Sequence, residues 1–333
     1  RLKNLIEVKL LHCRNLQEIP TFGHLPFLER LVLDGLHKIT SIRSSFYNNG
    51  ASVGGQGRTK LFPALKALIL DNMPNLTEWM EADVTSTAGN MEVFPSLEEL
   101  KIRYCTRLTT APRHFSHLKK LEIKHVNHGL PVTKICSEVK TLISLDIERV
   151  CHLTSLPDVL SHNNQNLEFL KLKHCPDLTH IVPEWGFAAC LREFQICNCD
   201  NLMELPNDLY RLKSLERLEI DSCPKLKSFP TPNGQEGLKS LRHLRIYNCG
   251  GLTCLPGEML DSCTWLESLW VNYCRNLASL PVNLHHMSAL SSLEVFKCPK
   301  LTSLPEGLCC LSRLSELQIS PFSNSMDFHP FQI

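Results

Sequence analysis

The feature that most limits what this chain can become is a repeat. The stretch CPKLTSLPEGLCCLSRLSELQIS at 298–320 returns as CRNLASLPVNLHHMSALSSLEVF at 274–296. Its first half recurs as CGGLTCLP at 249–256 and CPKLKSFP at 223–230. The template L-x-x-L-x-L-x-x-C-x-x-L-x-x-L-P fits eight segments closely, beginning at Leu5, Leu97, Leu167, Leu191, Leu215, Leu241, Leu266 and Leu290. Looser copies begin at Leu28, Leu65, Leu118 and Leu142, and a truncated one at Leu314. From Leu118 onward the starts lie 24 to 26 residues apart. Self-similarity at such a period marks stacked units, none of which can bury its apolar face alone.

Inside a copy, SLERLEIDSC (214–223) alternates Leu218 and Ile220 with Arg217, Glu219 and Asp221, the period of a short strand with one buried side. The other half, such as LPEGLCCLSRL (304–314), carries Leu-Pro and further leucines and returns the chain to the next copy. Period and pattern match leucine-rich repeats. The expected fold is an α/β solenoid, a leucine-rich repeat horseshoe. Its parallel β-sheet lines the concave face, and irregular or short helical segments form the convex face. Residues 1–320 form about 13 repeats, with irregular insertions near 43–62 and 80–94, and residues 321–333 form a C-terminal cap in which Phe322, Phe328 and Phe331 fold over the last coil. No matching cap precedes Leu5, so another domain or further repeats are expected to cover that end.

Cys175, Cys199, Cys223, Cys249, Cys274 and Cys298 occupy one inward slot just past each strand, and Cys13 and Cys105 take the same slot earlier. A small, weakly polar thiol suits a buried turn. Equivalent side chains on stacked coils run parallel, which opposes disulfides, and zinc needs four convergent ligands. In CNC (197–199), alternation sends Cys197 outward and Cys199 inward. The chain is too long for a small stapled scaffold, and its one Asn-x-Ser/Thr sequon is Asn75-Leu76-Thr77. Free thiols in a reducing, cytoplasmic or nuclear setting are therefore expected.

Both insertions, RSSFYNNGASVGGQGRTKLFP and MEADVTSTAGNMEVFP, are dominated by Gly, Ser, Asn and Thr and read as mobile surface loops. Gly54, Gly55, Gly57, Arg58, Thr59 and Lys60 lack the spacing of a phosphate loop. The chain contains no H-E-x-x-H, paired C-x-x-C or dinucleotide glycine fingerprint, and no enzyme, cofactor or metal site is expected. With 35 basic and 34 acidic residues, its charge gives no general reason to expect nucleic acid as a partner. No apolar run reaches the roughly 18 residues of a membrane span.

What remains is a surface made of the outward strand residues. In the earlier coils these are Glu99, Lys101 and Arg103, then Lys120, Glu122 and Lys124, then Ser144, Asp146 and Glu148. Later coils add Phe169, Lys171 and Lys173; His243, Arg245 and Tyr247; Ser268, Trp270 and Asn272; and Ser292, Glu294 and Phe296. Interface anchors are enriched in Trp, Tyr and Arg. The candidate protein-binding residues on the concave face are therefore Phe169, Lys171, Lys173, His243, Arg245, Tyr247, Trp270 and Phe296. By template, Trp270 is offset by one outward step from Tyr247 and Phe296, within diagonal reach.

The half-repeats CDNLMELP and CPKLTSLP, joined with FPSLEELKI (94–102) and FPALKALIL (62–70), resemble the repeat region of plant intracellular nucleotide-binding immune receptors of the coiled-coil class. The resemblance covers essentially the whole chain, and the L-x-G-x-I-P signature of extracellular plant repeats is missing. It implies a region that recognises a pathogen effector or a guarded host protein and restrains a nucleotide-binding module. In that family ADP or ATP binds upstream of the repeats, so no cofactor falls to these residues. The alternative is a leucine-rich scaffold or substrate adaptor, for example of F-box type, unrelated to immunity.

Overall fold

The computed structural model describes residues 2–47, 59–82, 91–158, 160, 164–181, 189–231, 237–280, 284–302 and 307–320. The cap expected at 321–333, with its three phenylalanines, lies outside the described residues. The chain divides into two compact units, 1–164 and 165–333.

Each of the thirteen template copies produces a strand that begins two residues after its first leucine. In the first unit these are β1 (Glu7–Leu11), β2 (Arg30–Asp34), β5 (Ala67–Asp71), β8 (Glu99–Arg103), β9 (Lys120–Val126) and β10 (Ser144–Val150). They pair in parallel in that order. The second unit holds β11 (Phe169–Lys173), β12 (Glu193–Cys197), β13 (Arg217–Asp221), β14 (His243–Tyr247), β15 (Ser268–Asn272), β16 (Ser292–Phe296) and β17 (Glu316–Ile319), each parallel to the next. Both units are parallel β-solenoids with little helix. The longest helices described are α1 (Leu130–Cys136) and α2 (Gly257–Asp261), and other return segments use single 3-10 turns such as Leu209–Arg211. Pairing is without stagger, so Leu218 stands against Leu244 and Ile220 against Ile246. The inward aliphatics at these positions are 0–1% exposed.

A repeated turn ends each strand. The residue before the cysteine slot has positive φ in coil after coil: Asn198 at 54°, Ser222 at 50°, Asn248 at 52°, Tyr273 at 58° and Lys297 at 52°. Non-glycine residues pay for this conformation with about 1–3 kcal/mol. The turn is held because its amide extends the ladder, with Ser222 donating to Tyr247 and Asn248 to Asn272, each at 2.8 Å. It also aims the cysteine inward. The Cys249 Sγ lies 3.4 Å from the Tyr247 carbonyl and 3.8 Å from that of Ile220 on the preceding coil. Cys298 reaches Val271 and Phe296 in the same way. A thiol fits because it is small and still offers a weak donor to carbonyls that the ladder leaves partly used. All sixteen cysteines are free, and burial pushes the Cys105 and Cys249 thiols up to about 12.

Two expectations need correction. Cys13 occupies the template slot but is exposed, as are Leu2 (68%) and Ile6 (60%). The first coil is stacked on one side only among the described residues, so its slot has no second layer. The insertions, read as surface loops, supply a core at their ends. Residues 48–58 and 83–90 lie outside the described residues. Phe46 and Tyr47 nevertheless follow a 3-10 turn (Ser44–Phe46) into the interior. Thr59–Leu61 (β4) pairs with Met91–Val93 (β7), and each strand leads into a buried Phe followed by a half-buried Pro. Phe62 and Phe94 stack at 5.0 Å, Phe94 and Phe115 at 5.7 Å, and Phe46 meets Phe62 at 5.0 Å. The short strands Ser41–Ile42 (β3) and Glu78–Trp79 (β6) also pair, placing Trp79 against Phe115. Aromatic rings at Phe62, Phe94 and Phe115 thus fill the interior of the first unit, where the second unit uses Leu212, Leu238, Cys263 and Met287 at the same template slot.

Candidate functional site

The outward face of each unit follows from strand alternation and unstaggered pairing, which align outward residues in columns. Across β8, β9 and β10 of the first unit the columns carry charges that satisfy one another. Arg103 donates to both carboxylate oxygens of Glu122, each at 2.8 Å, and lies 3.9 Å from Asp71. Lys124 reaches Asp146 at 2.8 Å, Glu122 at 3.2 Å and Glu148 at 3.6 Å, and Lys101 reaches Glu99 at 2.7 Å. Burial alone would raise the Glu122 carboxyl, but hydrogen bonds from Arg103 and Lys124 outweigh it and hold the group below the usual carboxylate range. The alternating charges of these coils are committed to their neighbours.

The second unit has a different face. Register places Arg245 opposite Trp270, and Tyr247 opposite Asn272, which in turn faces Phe296. The one-step offset of Trp270 is therefore real. Asn272 is buried between the two aromatic positions, where its Oδ1 accepts from the Phe296 amide. Tyr273 closes the gap. Standing at the left-handed residue just past β15, its ring lies 4.9 Å from Tyr247 and 5.6 Å from Phe296. Lys297, one turn position further along, sets its ammonium 5.0 Å from the Tyr273 ring centre and 5.2 Å from that of Phe296. The Arg245 guanidinium lies 5.4 Å from the Tyr247 ring, near enough for cation–π attraction. Trp270 is 37% exposed and donates from Nε1 to the Ser292 hydroxyl at 3.0 Å.

The structure thus gathers His243, Arg245, Tyr247, Trp270 and Phe296, and adds Tyr273 and Lys297, which strand alternation alone did not reveal. It does not bring Phe169, Lys171 or Lys173 to them. These lie on β11, four strands from Trp270 and about 19 Å away at the usual strand spacing. Lys171 is instead engaged with Glu193 at 3.6 Å. Cys197 faces outward in its column and Cys199 inward, following the alternation.

Beside the aromatic group is a depression of about 300 Å³ over β13, β14 and β15. Its polar lining is Arg217, Glu219, His243, Arg245, Glu267, Ser268 and Ser291, with Trp270 beside them. Among the described residues no three or more His, Cys, Asp or Glu side chains gather as metal ligands, and no helix is long and apolar enough to cross a membrane.

No protein-family model matches the sequence. The RPP13-like protein 1 of Arabidopsis thaliana is 29% identical over 253 residues, covering 76% of this chain and 19% of that protein. Disease resistance protein RPP4, also of Arabidopsis thaliana, is 26% identical over 285 residues, covering 83% and 22% respectively. The chain therefore spans about a fifth of the length of these relatives. Among solved structures, the leucine-rich repeat domain of the type III effector XopL superposes with a TM-score of 0.52 at 23% identity, covering 72% of this chain and 76% of that one. In fold the chain is a leucine-rich repeat protein, and in sequence it is similar to plant disease resistance proteins.

Proposed function

We propose that this chain is the recognition region of a plant intracellular immune receptor of the coiled-coil class. It binds a protein, either a pathogen effector or a guarded host protein, on the outward strand face of its second unit. It also restrains an upstream nucleotide-binding module, where ADP or ATP is held, until that partner arrives. The observation that carries this reading is the cluster of Tyr247, Tyr273 and Phe296 with Lys297, beside the exposed Trp270. Large partly exposed rings ordered on a rigid sheet lose little entropy on binding, which is why such groups dominate interface energetics. Similarity to disease resistance proteins selects the immune reading over a scaffold or adaptor. The role is recognition without catalysis.

The test is the triple variant Tyr247→Ala, Tyr273→Ala, Phe296→Ala in the full-length receptor. At unchanged protein level, the partner-dependent response should be lost, while a variant altered at Lys101 and Lys120 of the first unit keeps it. An intact response in the triple variant refutes the assignment of the face.

A further inference from the structure

The depression beside Trp270 has a chemistry of its own. His243 lines it, with Nδ1 2.9 Å from the Ser268 hydroxyl. The cations around it differ in their commitments. Arg245 is engaged with Glu219 and lies 3.7 Å from Asp221, and Arg242 pairs with Glu267. Arg217 lies in the same column as His243, one strand away, and is exposed. Among the described residues it forms no ion pair. Trp270 stands on the far side, two strands across and two residues along from Arg217, a span of about 12 Å. One wall is therefore an uncommitted guanidinium and the other an exposed indole. The volume is at the lower end for ligand pockets.

We infer that this depression receives an acidic side chain of the protein partner, its carboxylate on Arg217 and His243, with the next residue's apolar side chain against Trp270. The inference rests on the recognition face described above and names the chemistry that this face selects. A guanidinium offers paired donors that match a carboxylate. A phosphate or free carboxylate could satisfy Arg217 but would leave the indole unused. An apolar side chain alone would leave Arg217 without a partner. The electrostatics agree with the geometry. The His243 imidazole is held below its ordinary range by burial and then by Arg217, with Arg242 adding to the effect and Glu267 and Glu216 opposing it. The cationic side of that balance is what an incoming carboxylate neutralises, and its arrival must raise the titration midpoint of His243.

The experiment follows that midpoint by NMR of the full chain with labelled histidine, His243→Gln supplying the assignment. The probes are the capped dipeptides acetyl-Glu-Leu-amide and acetyl-Gln-Leu-amide, and inorganic phosphate. The first should raise the midpoint in a saturable way and the second should leave it unchanged. Arg217→Ala should weaken the response to acetyl-Glu-Leu-amide about tenfold, the loss of one charged hydrogen-bonding partner. Trp270→Ala should weaken it without changing any response to phosphate. If phosphate acts as strongly as acetyl-Glu-Leu-amide and Trp270→Ala changes neither, the depression is a plain anion site and the inference is wrong. It is equally wrong if no probe moves the midpoint. Should that happen while the Tyr247, Tyr273, Phe296 triple variant still abolishes the receptor response, the recognition face stands and only its proposed ligand falls. Loss of the face with a positive dipeptide result is the reverse outcome.

Discussion

Removing one oxygen atom from Tyr47 tests the least expected part of this fold. The Tyr47 hydroxyl accepts from Trp79 Nε1 at 2.9 Å and donates to the Met80 carbonyl at 2.9 Å. Both rings are 1% exposed, and burial drives the phenol well above its ordinary range, so it stays protonated. Tyr47→Phe preserves the ring contacts with Phe46 at 5.2 Å and Phe94 at 5.8 Å. It therefore isolates the two hydrogen bonds. The indole N–H is left buried without an acceptor, at about 1–3 kcal/mol, and the less buried carbonyl forfeits a net bond of about 1 kcal/mol. The total is about 2–4 kcal/mol, a large share of the margin of a domain of this size.

Denaturant unfolding should report that loss. Exchange of the Trp79 indole proton, followed by NMR, locates it. The proton should exchange slowly in the wild-type chain and orders of magnitude faster in Tyr47→Phe, because the indole N–H then has no acceptor. A loss below about 0.5 kcal/mol with the indole still protected would show that the insertion does not lean on the hydroxyl. The claim that residues 44–47 belong to the core would then fail.

Three further outcomes follow from the same packing. Thiol labelling of the native chain should modify the exposed Cys13, Cys190, Cys254, Cys309 and Cys310 quickly, and leave ladder cysteines such as Cys223 and Cys249 untouched until denaturant is added. Phe94→Ala removes a ring stacked between Phe62 and Phe115 and should cost about 3–5 kcal/mol in the same unfolding assay. Arg103→Met should cost about 1–2 kcal/mol at pH 7, because Glu122 is mostly covered (side chain 16% exposed) and loses its paired donors. Glu122 is depressed in the folded state, so its contribution is present above the unfolded value of about 4.3 and fades as pH falls through the folded one. The gap between Arg103→Met and wild type should therefore narrow at pH 3.

The strands were legible because period-two alternation and the copy length are written into each repeat. The leucine at each copy's start locates a strand two residues on, even in the loose copies at Leu28 and Leu65. The cysteine slot was legible for the same reason, except at Cys13, where burial depends on a neighbouring coil and not on the residue itself. The aromatic interior was hidden by composition. Gly, Ser and Asn in the first insertion pointed to a loop, and Phe46-Tyr47 was read with them. The available signal was that Phe62 and Phe94 precede their leucines by three residues, as Phe115 does, which places all three in one column. Tyr273 was missed because it belongs to no strand. Only the left-handed turn brings the residue before each cysteine beside the outward columns, and nothing in a single copy announces that conformation.

The contrast between the two faces bears on where recognition can occur. A partner that docked over Arg103, Glu122 and Lys124 would have to desolvate a network whose charges are already paired, and gain little in exchange. Swapping one ion pair for another across an interface is close to neutral in free energy, although it can guide approach. At Tyr247, Tyr273 and Phe296 the half-buried groups are apolar rings whose remaining exposed area leaves water favourably, at roughly 25 cal/mol per Å². Lys297 supplies a cation already positioned over those rings. The β13–β16 face can therefore gain affinity from burial and selectivity from Arg217 and Lys297, whereas the charge network over β8–β10 can add little beyond steering. The same repeat, with the same inward leucines, yields a network of paired charges over β8–β10 and a cluster of aromatic rings over β14–β16, because only the outward half of each strand is free of the core.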